Sequence, residues 1–212
     1  AVLTELKKHT DFRLASIVGG DKDNAIPRDC DAVILPVDVN AAKAVLADGE
    51  ALLSLHVTAP EDGARSLCVE EVAVDSVMSA ADTMNALTVL GVPNGVLHPR
   101  KDNAALPETS RNLASVRTNE SELKFTLSSR SPFEWRIDES VAELEALAAK
   151  VGGTASHRSR YPGWEGAPDS PVSTLWQRAY RVTTGREIDT TVIHAGLECG
   201  LISSKLEGLD VI

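Results

Sequence analysis

Cysteine is scarce in this chain: Cys30, Cys68 and Cys199 are three among 212 residues, with no CxxC spacing. An odd number so placed supports neither a disulfide framework nor a thiolate zinc site, and it fits a reducing cytoplasm. Aromatic residues make up 4% of the sequence, and no apolar run nears the ~20 residues of a membrane span. Nothing at the start reads as a signal peptide, so no membrane partner is expected. A basic excess is missing too: 21 Lys and Arg face 31 Asp and Glu, a net charge of −10. Binding to nucleic acid needs clustered cations, so that partner class is excluded as well. No Ser sits in a nucleophile elbow beside a paired His and Asp, which leaves no hydrolase triad.

What remains is ordinary globular composition, with 43% hydrophobic and 25% charged residues, enough for one large domain or two small ones. Periodicity predicts a helix over 1–8 and a half-buried strand over 12–18. A Gly-rich turn at 19–24 leads to a second strand within 25–36, then a helix over 39–55 that Gly49 weakens, and a strand over 67–74. The order then recurs: a helix over 79–90 opened by Ser79-Ala80-Ala81-Asp82, a long loop over 92–107, and a hairpin of 111–117 with 122–127. A helix over 138–151 and a short closing strand over 154–159 complete it. Helix–strand–strand–helix–strand twice is most of two split β-α-β units, an α+β arrangement with an antiparallel sheet and helices on one face.

From Tyr161 the character changes. A Pro- and Gly-rich joint runs to Ser170-Pro171, an N-cap followed by proline at the first helical position, and a helix over 172–184 stops at Gly185. A β-branched strand over 187–193, a helix opened by His194-Ala195-Gly196-Leu197-Glu198-Cys199-Gly200 and a strand over 209–212 read as part of a parallel α/β sheet. The expected division is therefore 1–160 and 161–212. The first helix has no N-cap and the last strand ends the chain, which reads as a piece of a longer protein.

Candidate chemistry is thin. His194 and Glu198 stand at i, i+4 with Cys199 adjacent, but the other histidines are scattered, so no metal ligands are assigned in this chain. Gly196 stands where a buried strand opens a helix, a place where backbone N–H groups face a ligand, although a plain strand-to-helix turn has the same pattern. Arg130 closes a strand before Ser131-Pro132; it is suited to a bidentate grip on a carboxylate or to a surface ion pair. Asn24, at the end of the glycine turn, is either an amide donor to a ligand or a residue in a left-handed turn position.

In order and spacing, several segments together resemble the aminoacyl-histidine dipeptidases, the bacterial carnosinases. They are Gly19-Gly20-Asp21-Lys22-Asp23-Asn24-Ala25-Ile26-Pro27-Arg28, Pro93-Asn94-Gly95-Val96 and Glu108-Thr109-Ser110-Arg111-Asn112-Leu113. Ser128-Ser129-Arg130-Ser131, Tyr161-Pro162-Gly163-Trp164 and 193–200 continue the series. That family belongs to the di-zinc metallopeptidase clan of the aminoacylases and glutamate carboxypeptidases. The resemblance implies a lid and dimerisation domain over 1–160 and a segment of the α/β catalytic domain over 161–212. It also implies a dipeptide substrate, two zinc ions, a homodimer formed through the lid and a cytoplasmic location.

By position, Asn24 and Arg130 match lid residues that hold the substrate carboxylate or the reaction oxyanion, and Gly196 matches a pocket-lining glycine. The family's zinc ligands and its glutamate base match nothing in this sequence, so no catalytic residue is assigned here and the chain alone is expected to be inactive. A non-catalytic dimerisation module, or an exopeptidase or aminoacylase of the same clan with other substrates, are the alternatives.

Overall fold

The computed structural model describes residues 2–54, 65–101, 106–164, 169–188, 198–206 and 208–212. Its elements are α1 (Val2–His9), β1 (Phe12–Gly19), β2 (Cys30–Pro36), α2 (Val39–Leu46), α3 (Gly49–Ser54), α4 (Ala80–Leu90), β3 (Gly95–Pro99), β4 (Pro107–Thr118), β5 (Leu123–Arg130), α5 (Glu134–Lys150), α6 (Pro171–Thr184) and α7 (Glu198–Lys205). The five strands make one sheet in the order β2-β1-β4-β3, with β5 also paired to β4, and β1 runs antiparallel to both β2 and β4. This is the expected α+β class. Contacts divide the chain into two compact units, Ala1–Pro93 with Asn112–Ser128, and Asn94–Arg111 with Ser129–Ile212.

The first unit is built on an apolar core. Phe12, Leu14 and Ile17 of β1 are buried with Leu6 of α1, Ala42 of α2, Ala86 of α4 and Ala114 and Val116 of β4. Strict alternation from Phe12 would turn residue 17 outward. A register shift between Leu14 and Ser16 inserts one unpaired residue, and that returns Ile17 to the core side. Where β1 lacks a strand partner its backbone bonds elsewhere. The Leu14 amide donates to Thr83 Oγ1 at 3.1 Å, and Leu14 O accepts from the Met78 amide at 2.8 Å. Both bonds spare the Leu14 backbone the cost of an unmade hydrogen bond.

Local signals placed most helices. Ser79 caps α4, accepting from Asp82 N at 3.0 Å while its hydroxyl donates to the Asp82 carboxylate at 2.6 Å. Ser170 accepts from Ser173 N, Pro171 opens α6, and Gly185 ends it in the left-handed region at φ 71°. The single helix expected over 39–55 is instead two. Asp48 accepts from Ala51 N and so starts α3, while a Cβ on Gly49 would stand 2.4 Å from the Leu67 side chain. Helix α5 begins four residues before the expected 138, just after Pro132.

The expected strands at 67–74, 154–159 and 209–212 do not form. Alternation makes a strand only where a partner edge is available. Here Val69 and Val72 are exposed, and Ser159 takes a positive φ of 56°. Asp210 accepts from the Val172 amide at 2.8 Å and so caps α6. Conversely, the loop expected over 92–107 contains β3, which two register shifts fit to β4 despite its proline. The strand expected over 187–193 falls largely outside the described residues. Among the described residues, no helix is long and apolar enough to cross a membrane.

The core assignment yields a direct test. Leu14→Ala should cost about 2–5 kcal/mol of unfolding free energy, because Leu14 is fully buried. Leu35→Ala, at a position 48% exposed, should cost less than about 1 kcal/mol. Urea unfolding monitored by circular dichroism measures both; equal losses would contradict the inward phase assigned to β1.

Candidate functional site

Asn24 sits in the first unit on the loop joining β1 to β2. The Ala25 amide donates to Lys22 O at 3.4 Å, closing a turn with Asp23 and Asn24 at its centre. Ser159 is the only non-glycine residue with positive φ among the described residues, so Asn24 does not occupy the left-handed position that the sequence left open. The loop is fastened on both sides of it. Gly20 has φ 70°, and a Cβ there would lie 2.0 Å from Ala114 O, so only glycine fits. Arg117 of β4 donates to the carbonyls of Gly19 and Gly20 and reaches Asp21 Oδ1 at 3.4 Å. Asn112 Nδ2 donates to Ala25 O at 2.7 Å. The Asn24 side chain is exposed and makes no hydrogen bond with any described residue, so its donor and acceptor remain open to a ligand.

Arg130 sits in the second unit as the last residue of β5, half-buried. Hydroxyls hold both of its neighbours. Ser129 Oγ lies 2.7 Å from Ser140 Oγ of α5, and Thr109 Oγ1 of β4 donates to Ser131 Oγ at 3.1 Å. Ser131 Oγ also accepts from the Phe133 amide at 3.2 Å, where the chain turns into α5. Beneath these serines lies Arg111 of β4, 2% exposed. Its Nη2 donates to Ser140 Oγ at 2.9 Å and to Glu143 Oε2 at 2.5 Å. That bond holds the Glu143 carboxyl below the usual glutamate range, against the opposing effect of its own partial burial. Arg136 pairs with Glu108 at 3.2 Å and Glu139 at 3.0 Å. A shallow pocket lined by His98, Thr109, Arg111 and Ser140 opens beside this network.

Two glycines bring further motif segments to the same place. A Cβ on Gly163 would stand 1.8 Å from Pro132 O, and one on Gly200 of α7 would stand 3.0 Å from Pro162 O. The Tyr161–Trp164 segment therefore lies against both the residues just after Arg130 and the first turn of α7. Gly196 and His194 lie outside the described residues. Glu198 is exposed at the start of α7, and Cys199 Sγ lies 3.3 Å from Ile212 O. Among the described residues no three His, Cys, Asp or Glu side chains gather to hold a metal. The described residues thus do not fit a zinc ion.

Arg111, Ser140 and Asn112 carry no role in the reading of the sequence. Extending the inward alternation of Ala114 and Val116 backwards along β4 turns Arg111 outward. The buried positions in fact run Thr109, Arg111, then Ala114, Val116, with one phase slip between them. For Ser140 a signal existed: a hydroxyl stands in the apolar stripe of Ile137, Val141 and Leu144, and a polar residue inside such a stripe needs a partner.

No family model matches the chain. Over 206 residues it is 28% identical to a cytosol non-specific dipeptidase of Escherichia coli (strain K12), covering 95% of this chain and 42% of that protein. Its structure matches the crystal structure of an aminoacylhistidine dipeptidase from Vibrio alginolyticus with a TM-score of 0.81 and 28% identity, over 93% of this chain and 41% of that one. The chain is thus a homologue of these dipeptidases and spans about two fifths of their length.

The Arg111–Glu143 pair sets a pH dependence. A carboxyl whose folded pKa is depressed adds stability above its unfolded pKa, about 4.3, and that stability fades as pH falls through the lower folded value. Glu143→Gln should lower unfolding free energy at pH 7 by up to about 1 kcal/mol, since half of the side chain is exposed. Paired urea titrations at pH 7 and pH 3 should show the gap closing in acid; a gap equal at both would contradict the pairing.

Proposed function

We propose, on the premise of homology with the aminoacylhistidine dipeptidases, that this chain forms the substrate-gripping part of a metallo-dipeptidase. The reaction is hydrolysis of Xaa-His dipeptides such as carnosine. Residues 1–160 form the lid and dimerisation domain, and residues 161–212 belong to the α/β catalytic domain. The observation that carries this reading is the presentation of two polar side chains on firmly held segments, at the positions where the family binds substrate. Arg130 has both neighbours bonded through their hydroxyls, and Asn24 stands exposed on a loop clamped by Arg117 and Asn112. A guanidinium recognises a carboxylate bidentately and an amide donates to an oxyanion or carboxylate oxygen, so pre-organised segments suit both tasks.

In this reading Arg130 and Asn24 bind the C-terminal carboxylate or the oxyanion, and Gly196 lines the pocket with its backbone. Two zinc ions supply the hydrolytic chemistry, held by residues other than those of this chain, so the chain alone is inactive. The exposed Leu175, Trp176 and Val182 of α6 support the assignment of 161–212, since such a face suits the interior of a larger α/β domain. A homodimer through the lid and a cytoplasmic location follow from the same premise. The name of the Escherichia coli relative, a non-specific dipeptidase, favours a second reading in which the enzyme accepts a wider range of dipeptides.

Steady-state kinetics on the full-length protein test both readings. Carnosine should be cleaved with a higher kcat/KM than Ala-Ala, and Arg130→Ala should lower kcat/KM by on the order of 10²-fold. Equal efficiency on the two peptides would favour the broader enzyme. No cleavage of any dipeptide would leave an interaction module, and an unchanged Arg130→Ala enzyme would remove Arg130 from the site.

A further inference from the structure

A carboxylate grip needs the guanidinium fork of Arg130 in one orientation, and so needs the backbone that carries it held firmly. Among the described residues Arg111 is one of the largest fully buried side chains, and the other large ones, Phe12, Leu6 and Leu14, are apolar and lie in the first unit. A guanidinium is costly to take out of water even when it is bonded, so a stability role alone would be served as well by an apolar residue.

Arg111 connects to Arg130 by an unbroken relay. Nη2 donates to Ser140 Oγ at 2.9 Å, and the Ser140 hydroxyl meets Ser129 Oγ at 2.7 Å, one residue before Arg130. The same Nη2 is anchored to Glu143 at 2.5 Å, one helical turn beyond Ser140 on α5. The Ser140 hydroxyl thus bonds Arg111 on one side and Ser129 on the other, whichever of the two serines donates. On the far side of Arg130, Thr109 stands two residues before Arg111 on the inward face of β4 and donates to Ser131. One short stretch of β4 therefore holds the backbone on both sides of Arg130.

We propose that Arg111 is a positioning residue for substrate recognition, acting through Ser140 and Ser129 to hold the backbone that presents Arg130. This rests on the reading of Arg130 as the carboxylate grip. It assigns Arg111 no contact with substrate.

The test uses the full-length protein and two probes, alanyl-histidine and its C-terminal amide, whose ratio of kcat/KM measures recognition of the carboxylate. Arg130→Ala should collapse the ratio by on the order of 10²-fold, whereas Arg111→Met and Ser140→Ala should each lower it about tenfold, mainly through KM of alanyl-histidine. In the Arg130→Ala background, adding Ser140→Ala should change the ratio no further, because the residue it positions is gone. Leu14→Ala, a destabilising change in the first unit, should leave the ratio unmoved and so controls for loss of fold. If Arg111→Met fails to fold, Ser140→Ala carries the test alone. A full ratio in Ser140→Ala, with collapse in Arg130→Ala, overturns the proposal and leaves the carboxylate reading standing. A full ratio in Arg130→Ala overturns both.

Discussion

A guanidinium buried to 2% exposure constrains everything around it. Arg111 Nη2 is met by Ser140 and Glu143, and Ser140 in turn by Ser129, so β4, α5 and the end of β5 keep their hydroxyl and carboxylate groups within hydrogen-bond reach of one another. The two compact units are held in different ways as a result. In the first, the described core is mostly apolar and comes from β1, α1, α2, α4 and β4. In the second, the buried residues that are described are Thr109, Arg111, Ser140, Ser173 and Gly200. Apolar burial is non-directional and tolerates repacking, whereas a hydrogen-bonded network specifies angles as well as distances. A segment that must aim a side chain is better served by the second kind of interior.

Strand β4 is the common support of both candidate binding residues. Its first half sends Thr109 and Arg111 toward the serines that flank Arg130, and its second half sends Asn112 and Arg117 to the loop that carries Asn24. The fasteners are mostly polar side chains bonding to backbone carbonyls or hydroxyls. Gly20 and Gly163 add close approaches that no side chain would allow, and Gly200 packs against Pro162 O more tightly than most Cβ atoms do. Within the resemblance segments, Thr109 and Arg111 thus anchor the surroundings of Arg130, and Asn112 anchors the loop of Asn24. The diagnostic glycines of the loop and of the Tyr161–Trp164 segment are explained by sterics before any ligand is considered.

Much of this was legible in the sequence where the physics is local. The caps at Ser79 and Ser170, the left-handed stop at Gly185 and the apolar stripe of α5 each depend on residues within one or two turns of each other. Strands fared worse, because alternation says which face is apolar and nothing about whether an edge is available. Residues 67–74 have the pattern without a partner, while Gly95–Pro99 has a partner without the pattern. Arg111 was hidden for a related reason. The inward phase of β4 slips between Arg111 and Ala114, so its burial follows from a register that no local pattern records. Asn24 and Arg130 stood out by resemblance. What distinguishes them physically, the clamped loop and the bonded serines, comes from partners 85 to 100 positions away in one case and from α5 and β4 in the other.

The central claim is that Arg130 meets the substrate carboxylate while the buried Arg111 holds its backbone in place. A crystal structure of the full-length protein with a non-hydrolysable dipeptide analogue tests this most directly. The account predicts both carboxylate oxygens of the analogue within hydrogen-bond reach of the Arg130 guanidinium, with Arg111 still bridging Ser140 and Glu143. An analogue bound in the site with Arg130 turned away from its carboxylate would contradict it.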